Sequence, residues 1–109
     1  HNIKKEPEKV FKFFHIILKY IYRKKSFFNA IFISNPNRSL VMDYLDITKK
    51  YYAKILVENE TLIQNRELFI SYTVSGQIGV ILYWLRSGCQ ESPKEVANSL
   101  LSNTIKLQR

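Results

Sequence analysis

The sequence holds little of what builds disulfides, metal sites or catalytic centres. A single cysteine, Cys89, excludes an internal disulfide and points to a reducing compartment. Two histidines, His1 and His15, have no Cys/His spacing that would suit zinc. No glycine-rich phosphate-binding loop occurs, and no carboxylate pair falls on a clearly buried face. No catalytic residue, metal or cofactor is therefore expected, and the chain does not read as an enzyme. Three glycines and three prolines in 109 residues leave few breakers, and no segment alternates at the strand period. The expected fold is all-α, in one domain over residues 1–109.

Charge is the other scarcity, and it is local. Between Leu68 and Leu85 there is no charged residue, yet the stretch includes Ser75, Gly76 and Gly79. Eighteen uncharged residues approach a short membrane span. The centre is only mildly apolar, with Ser71, Tyr72, Thr73, Ser75 and Gln77 in it, so no membrane partner is expected. A helix apolar nearly all round must be covered nearly all round. In a chain this short one face would lie on its own core and another on a second copy.

The remaining helices follow from periodicity and punctuation. Val10, Phe13, Phe14, Ile17, Leu18 and Ile21 recur at helical spacing, opposite Lys9, Lys12, Lys19 and Arg23. Ser26 is placed to cap a short second helix with Phe27, Phe28, Ile31 and Phe32, which stops at Ser34-Asn35-Pro36-Asn37. A third helix starts near Ser39, with Val41, Tyr44, Leu45, Thr48, Tyr52, Ile55 and Leu56 as its inner stripe. Asn59 to Asn65 reads as the link to a fourth helix over about Asn65–Ser87, which Gly88 would end in the left-handed conformation. Ser92-Pro93-Lys94-Glu95 unites an N-cap serine, a first-turn proline and a glutamate at N3, a capping box that opens the fifth helix. Val96, Ala97, Leu100, Leu101, Thr104 and Ile105 would face inward from it.

At about 100° per residue, the fourth helix divides into strips. Ile70, Val74, Ile78, Ile81 and Leu85 form a core strip, and Tyr72, Ser75, Gly76, Gly79, Tyr83 and Arg86 form another. Glycine inside a helix costs about 0.8–1 kcal/mol against alanine, so two on one strip suggest a close crossing with another helix. That helix belongs either to the same chain or to a partner. Gln77 and the Trp84 indole would need hydrogen-bond partners if buried.

Ser75-Gly76-Gln77-Ile78-Gly79-Val80-Ile81, then Trp84-Leu85, Gly88 and Ser92-Pro93-Lys94-Glu95, resemble the C-terminal domain of TetR-family transcriptional regulators, in the variety common in Firmicutes. The clear likeness runs from about Phe69 to Leu101. It implies a five-helix bundle whose last two helices form a four-helix bundle with those of a second copy. Tyr72, Ser75, Gly76, Gly79, Tyr83, Leu100 and Leu101 become the expected homodimer surface. Phe14, Leu18, Met42, Tyr52 and Gln77 become expected walls of an effector pocket, for a small molecule or, in its place, regulation by a protein partner. The family's DNA-reading helix-turn-helix is not in this sequence, which opens at His1 without methionine. Any DNA contact is expected through a preceding domain, in a cytoplasmic protein.

A different reading starts from the net charge of +8, of which the first 25 residues carry +6, eight Lys/Arg against Glu6 and Glu8. A small basic bundle could meet a protein partner, nucleic acid or an anionic membrane through its first helix.

Overall fold

The computed structural model describes residues 7–55 and 65–107. They form five α-helices: α1 Pro7–Arg23, α2 Lys25–Asn29, α3 Arg38–Ile55, α4 Arg66–Arg86 and α5 Pro93–Leu107, with a π-helical turn, Ala30–Ser34, continuing α2. The all-α expectation holds for every described element. Most of the expected Asn59–Asn65 link, together with Leu56, lies outside the described residues.

α1 is amphipathic as its spacing requires, burying Val10, Phe14, Leu18 and Ile21. It runs alongside α5, which contributes Val96, Ala97 and Leu100 to the same core. α3 lies on α4. α2 and the π-turn cover the end of α4 near Leu85, where the Asn29 side-chain amide donates to the Leu85 carbonyl at 3.2 Å.

Ser26 does not cap α2. The chain passes from α1 to α2 through Lys24 alone, whose N–H still reaches the Tyr20 carbonyl, so no exposed helix start exists for a serine to cap. The π-turn closes with the Asn35 N–H on the Ala30 carbonyl at 2.9 Å, the i to i+5 bond of a wider helix. Asn37 then starts α3, its side-chain oxygen accepting from the Leu40 N–H at 3.0 Å.

Both ends of α4 follow local chemistry. The Asn65 side chain accepts from the Leu68 N–H at 3.2 Å, capping the first turn. At the other end the Gly88 N–H bonds the Leu85 carbonyl and the Cys89 N–H bonds the Trp84 carbonyl. This is a Schellman close, with Gly88 at φ 87°. Cys89 follows at φ 52°, also left-handed, and its buried thiol is pushed up by desolvation, a poor nucleophile. The Trp84 indole N–H donates to the Glu91 carbonyl at 2.9 Å and ties the turn back onto α4. Of the described helices α4 is the one long and apolar enough to cross a membrane, and Ile70, Thr73, Val74, Gln77, Trp84 and Leu85 of it are buried in this fold.

Candidate functional site

Two features meet at the middle of α4: an apolar cavity on its inner side and a groove on its outer side. The cavity holds about 170 Å³. α1 supplies Phe13, Phe14, Ile17, Leu18, Tyr20 and Ile21, and α2 with the π-turn supplies Phe28 and Phe32. Val41, Tyr44 and Thr48 come from α3, Gln77, Ile78, Ile81 and Leu82 from α4, and Leu100 from α5.

Four of these rings form a cluster. Tyr20 meets Phe28 edge-on at 5.8 Å between centroids, Phe28 meets Tyr44 at 6.2 Å, and Phe32 meets Tyr44 perpendicularly at 5.5 Å. Edge-to-face contacts of this kind favour ring over aliphatic packing and hold the wall in one arrangement. The π-turn serves this wall, since it carries Phe32 and brings the chain round so that Val41, Tyr44 and Thr48 of α3 face the cavity. No charged side chain lines the space. The Thr48 hydroxyl donates to the Tyr44 carbonyl on its own helix at 2.8 Å. Gln77, 7 % exposed, also lines the cavity.

Of the expected pocket residues, Phe14, Leu18 and Gln77 line the cavity. Met42 does not: it is 44 % exposed. It stands about 200° around α3 from Tyr44, so α3 cannot offer both side chains to the same space. Tyr52 is buried but lies one turn beyond Thr48, past the end of the cavity. Its phenol packs near Thr73, and both hydroxyls are buried without a hydrogen-bond partner. Thr73 is near enough to favour the ionised phenol weakly, but burial dominates and pushes the Tyr52 hydroxyl up, well above its ordinary range. Phe28, Phe32, Tyr44 and Thr48 are wall residues that periodicity presents only as core. The aromatic density of Phe27-Phe28 and Phe32 is the one signal that sets them apart.

The outer groove runs between α4 and α5. Ser71, Tyr72, Thr73, Ser75, Gly76, Gln77 and Val80 line one side, Leu100 and Asn103 the other. Tyr72 and Tyr83 are 68 % and 69 % exposed, and Ser75, Gly76 and Gly79 are exposed between them. A Cβ built on Gly76 or Gly79 would meet nothing within 4 Å. Among the described residues, therefore, no helix crosses closely over these glycines. Leu100 turns inward and forms part of the groove floor, whereas half-buried Leu101 faces a shallow depression between α1 and α5. Neither stands on the exposed α4 strip itself.

Among the described residues no group of three or more His, Cys, Asp or Glu gathers as a metal site would need. His15 is half-buried against the Phe11 ring at 5.2 Å. A helical bundle with an uncharged, aromatic-walled cavity and a small-residue outer strip has the build of a binding module. Residues 8–106 match the family described as "Transcriptional regulator C-terminal region" (TetR_C_8). The chain belongs to this family of TetR-type regulatory domains, which are regulatory and not catalytic. No curated protein and no solved structure matches the chain.

Proposed function

We propose that this domain pairs with a second copy through the Tyr72–Gly76–Gly79–Tyr83 strip of α4 and the neighbouring α5, and senses an effector in the cavity behind that strip. The family match supports dimerisation and effector sensing as the role of this region, with DNA reading left to another part of a full regulator. The observation that carries the pairing is the open space over both glycines. Two interior glycines weaken α4 and make no close crossing among the described residues; a partner helix approaching closely would account for them. Pairing α4 and α5 with their copies gives a four-helix bundle. A change of cavity shape on effector binding would then alter how the two halves sit, and with them any attached DNA-reading heads. Cytoplasmic action fits TetR-type regulators in general.

Light scattering after size exclusion tests the pairing at micromolar concentration. A dimer is expected, and Gly79→Leu should weaken it without loss of helix content, because a Cβ at this position meets nothing within 4 Å among the described residues. A wild-type monomer would overturn the pairing, and a Gly79→Leu dimer of undiminished strength would move the interface elsewhere.

A second reading rests on the outer face of α1, where Lys12, Lys19 and Arg23 are exposed beside Ile16, also exposed. Contact there with a protein or polyanion would show as steeply salt-dependent binding.

A further inference from the structure

We infer that the effector is a compact amphipathic anion, whose apolar body fills the cavity while its anionic head stays at the mouth against the Lys24 ammonium. The inference rests on the effector-sensing reading above and narrows it to a chemical class.

The interior decides what enters. The cavity holds about 170 Å³, close to the roughly 150 Å³ of a dry cavity that accepts benzene. No Lys, Arg, His, Asp or Glu lines it. Thr48 and Gln77 are already engaged: the Thr48 hydroxyl donates to the Tyr44 carbonyl, and Gln77 has a partner. A head group drawn inside would lose its water and gain neither hydrogen bond nor counter-ion. The buried part of the guest is therefore hydrocarbon, and any polar group on it stays outside.

The opening decides what that group is. Tyr20 and Tyr44 line the cavity and are 46 % and 38 % exposed, so the space reaches the surface between α1 and α3. Phe13, Ile17 and Tyr20 follow one strip of α1, and Lys24 is the next position on it. The strip is apolar where it passes the cavity and ends, one turn on, in a cation. Lys24 Nζ stands over the Tyr20 ring, 5.8 Å from its centroid, which holds the charge at the mouth. Asp43 and Asp46 are exposed and lie about 140° and 160° around α3 from Thr48, turned away from the opening. A head group leaving the cavity on this side meets positive charge. Tyr20 and Lys24 are about 6 Å apart along the helix axis, so an arm of about two or three carbons joins a ring inside to a head at Lys24.

The test uses the 109-residue protein and three probes with one body: 3-phenylpropanoate, 3-phenylpropanamide and 3-phenylpropylammonium, followed by calorimetry and amide chemical-shift changes. At low ionic strength the propanoate should bind saturably and shift resonances of Phe28, Ile81 and Leu82. It should exceed the amide in affinity by about fivefold, the upper range for one exposed ion pair, and the ammonium should bind more weakly than the amide. Added salt should narrow the spread. Lys24→Gln should remove the preference for the propanoate and leave amide affinity unchanged, and Lys24→Glu should turn the preference to the ammonium. Lys19→Gln, on the far side of α1, should change neither. Equal affinity of propanoate and amide, or a preference lowered as much by Lys19→Gln as by Lys24→Gln, would overturn the anionic head at Lys24 while the cavity stays an effector site. If no probe of any charge shifts the cavity resonances of the folded protein, effector sensing at this cavity falls with the inference, while the pairing through α4 stands.

Discussion

Gln77 and Leu100 are the two residues that line both the inner cavity and the outer groove. One comes from α4 and the other from α5, and both are buried. Together they are a wall one side chain thick between the space for a small molecule and the surface for a second copy. A shift of either side chain changes both spaces at once. Linkage then follows: a guest that displaces Gln77 must change the fit of whatever covers the groove, and the partner must change guest affinity by the same factor.

The wall also has a structural load that can be measured. Leu100→Ala removes buried methyl groups between two existing spaces, so little can collapse into the gap. A loss of about 3 kcal/mol is expected, within the usual range for leucine truncation in a core. Leu101→Ala, at a half-buried position facing α1, should lose markedly less. Urea denaturation of the two variants checks the order; equal losses would mean that Leu100 is not the tighter-packed of the pair.

Gly76 and Gly79 yield a prediction of opposite signs. Alanine at either position adds a Cβ into open space and removes a helix penalty of about 0.8–1 kcal/mol. Gly76→Ala and Gly79→Ala should therefore raise the stability of the isolated chain, read by urea denaturation at the lowest workable concentration. Sedimentation should show the dimer weakened by the same substitutions. Stabilisation without weaker pairing would leave the glycines unexplained by close helix approach.

Much of this architecture was legible because it depends on chemistry within a few residues. The left-handed Gly88 and the Ser92–Glu95 box each involve groups at most three positions apart, and both stand where the residue types place them. The exposed strip on α4 was legible as a strip, since helical spacing alone groups Tyr72, Ser75, Gly76, Gly79 and Tyr83. Burial of Thr73, Gln77 and Trp84 on a third face shows that α4 is covered on more than one side. The cavity was not legible to the same degree. Whether Met42 or Tyr44 faces it depends on how the π-turn sets the rotation of α3, and whether Tyr52 reaches it depends on how far α3 is shifted along α4. Both are tertiary quantities that periodicity does not contain. Ser26 failed as a cap for a related reason: α1 and α2 are nearly continuous, and capping needs a free helix start.

The Tyr52–Thr73 contact predicts a gain of stability from loss of polarity. Each hydroxyl is buried without a partner, and an unsatisfied buried hydroxyl costs on the order of 1 kcal/mol or more. Thr73→Val, of nearly the same shape, should stabilise by about 1 kcal/mol, and Tyr52→Phe should be neutral or stabilising. Because burial raises the Tyr52 phenol above its unfolded value, its neutral form is favoured in the folded state. Stability is then unaffected below about pH 10, the ordinary tyrosine range, and declines above it as the unfolded chain ionises first. Tyr52→Phe should flatten that alkaline decline in denaturation curves. A Thr73→Val variant less stable than wild type would show that the hydroxyl has a partner after all.

The turn into α5 yields the last prediction, in the acid range. The Glu95 N–H donates to Ser92 Oγ at 3.1 Å, while the Ser92 N–H donates to Glu95 Oε1 at 3.0 Å. Hydrogen bonds from the Ser92 backbone and side chain hold the Glu95 carboxyl below its ordinary value. The stability this adds is present above the ordinary glutamate value, about 4.3, and is lost as pH falls through the depressed folded value. Ser92→Ala removes the side-chain half of the pair and should cost about 1 kcal/mol near neutral pH. It should also move the Glu95 titration back toward the ordinary range, leaving the backbone bond as the remaining cause. An NMR titration of the Glu95 side chain in both proteins reads this directly. Identical titration curves would mean that the serine hydroxyl does not contribute to the shift, and that the box is held by the Ser92 N–H alone.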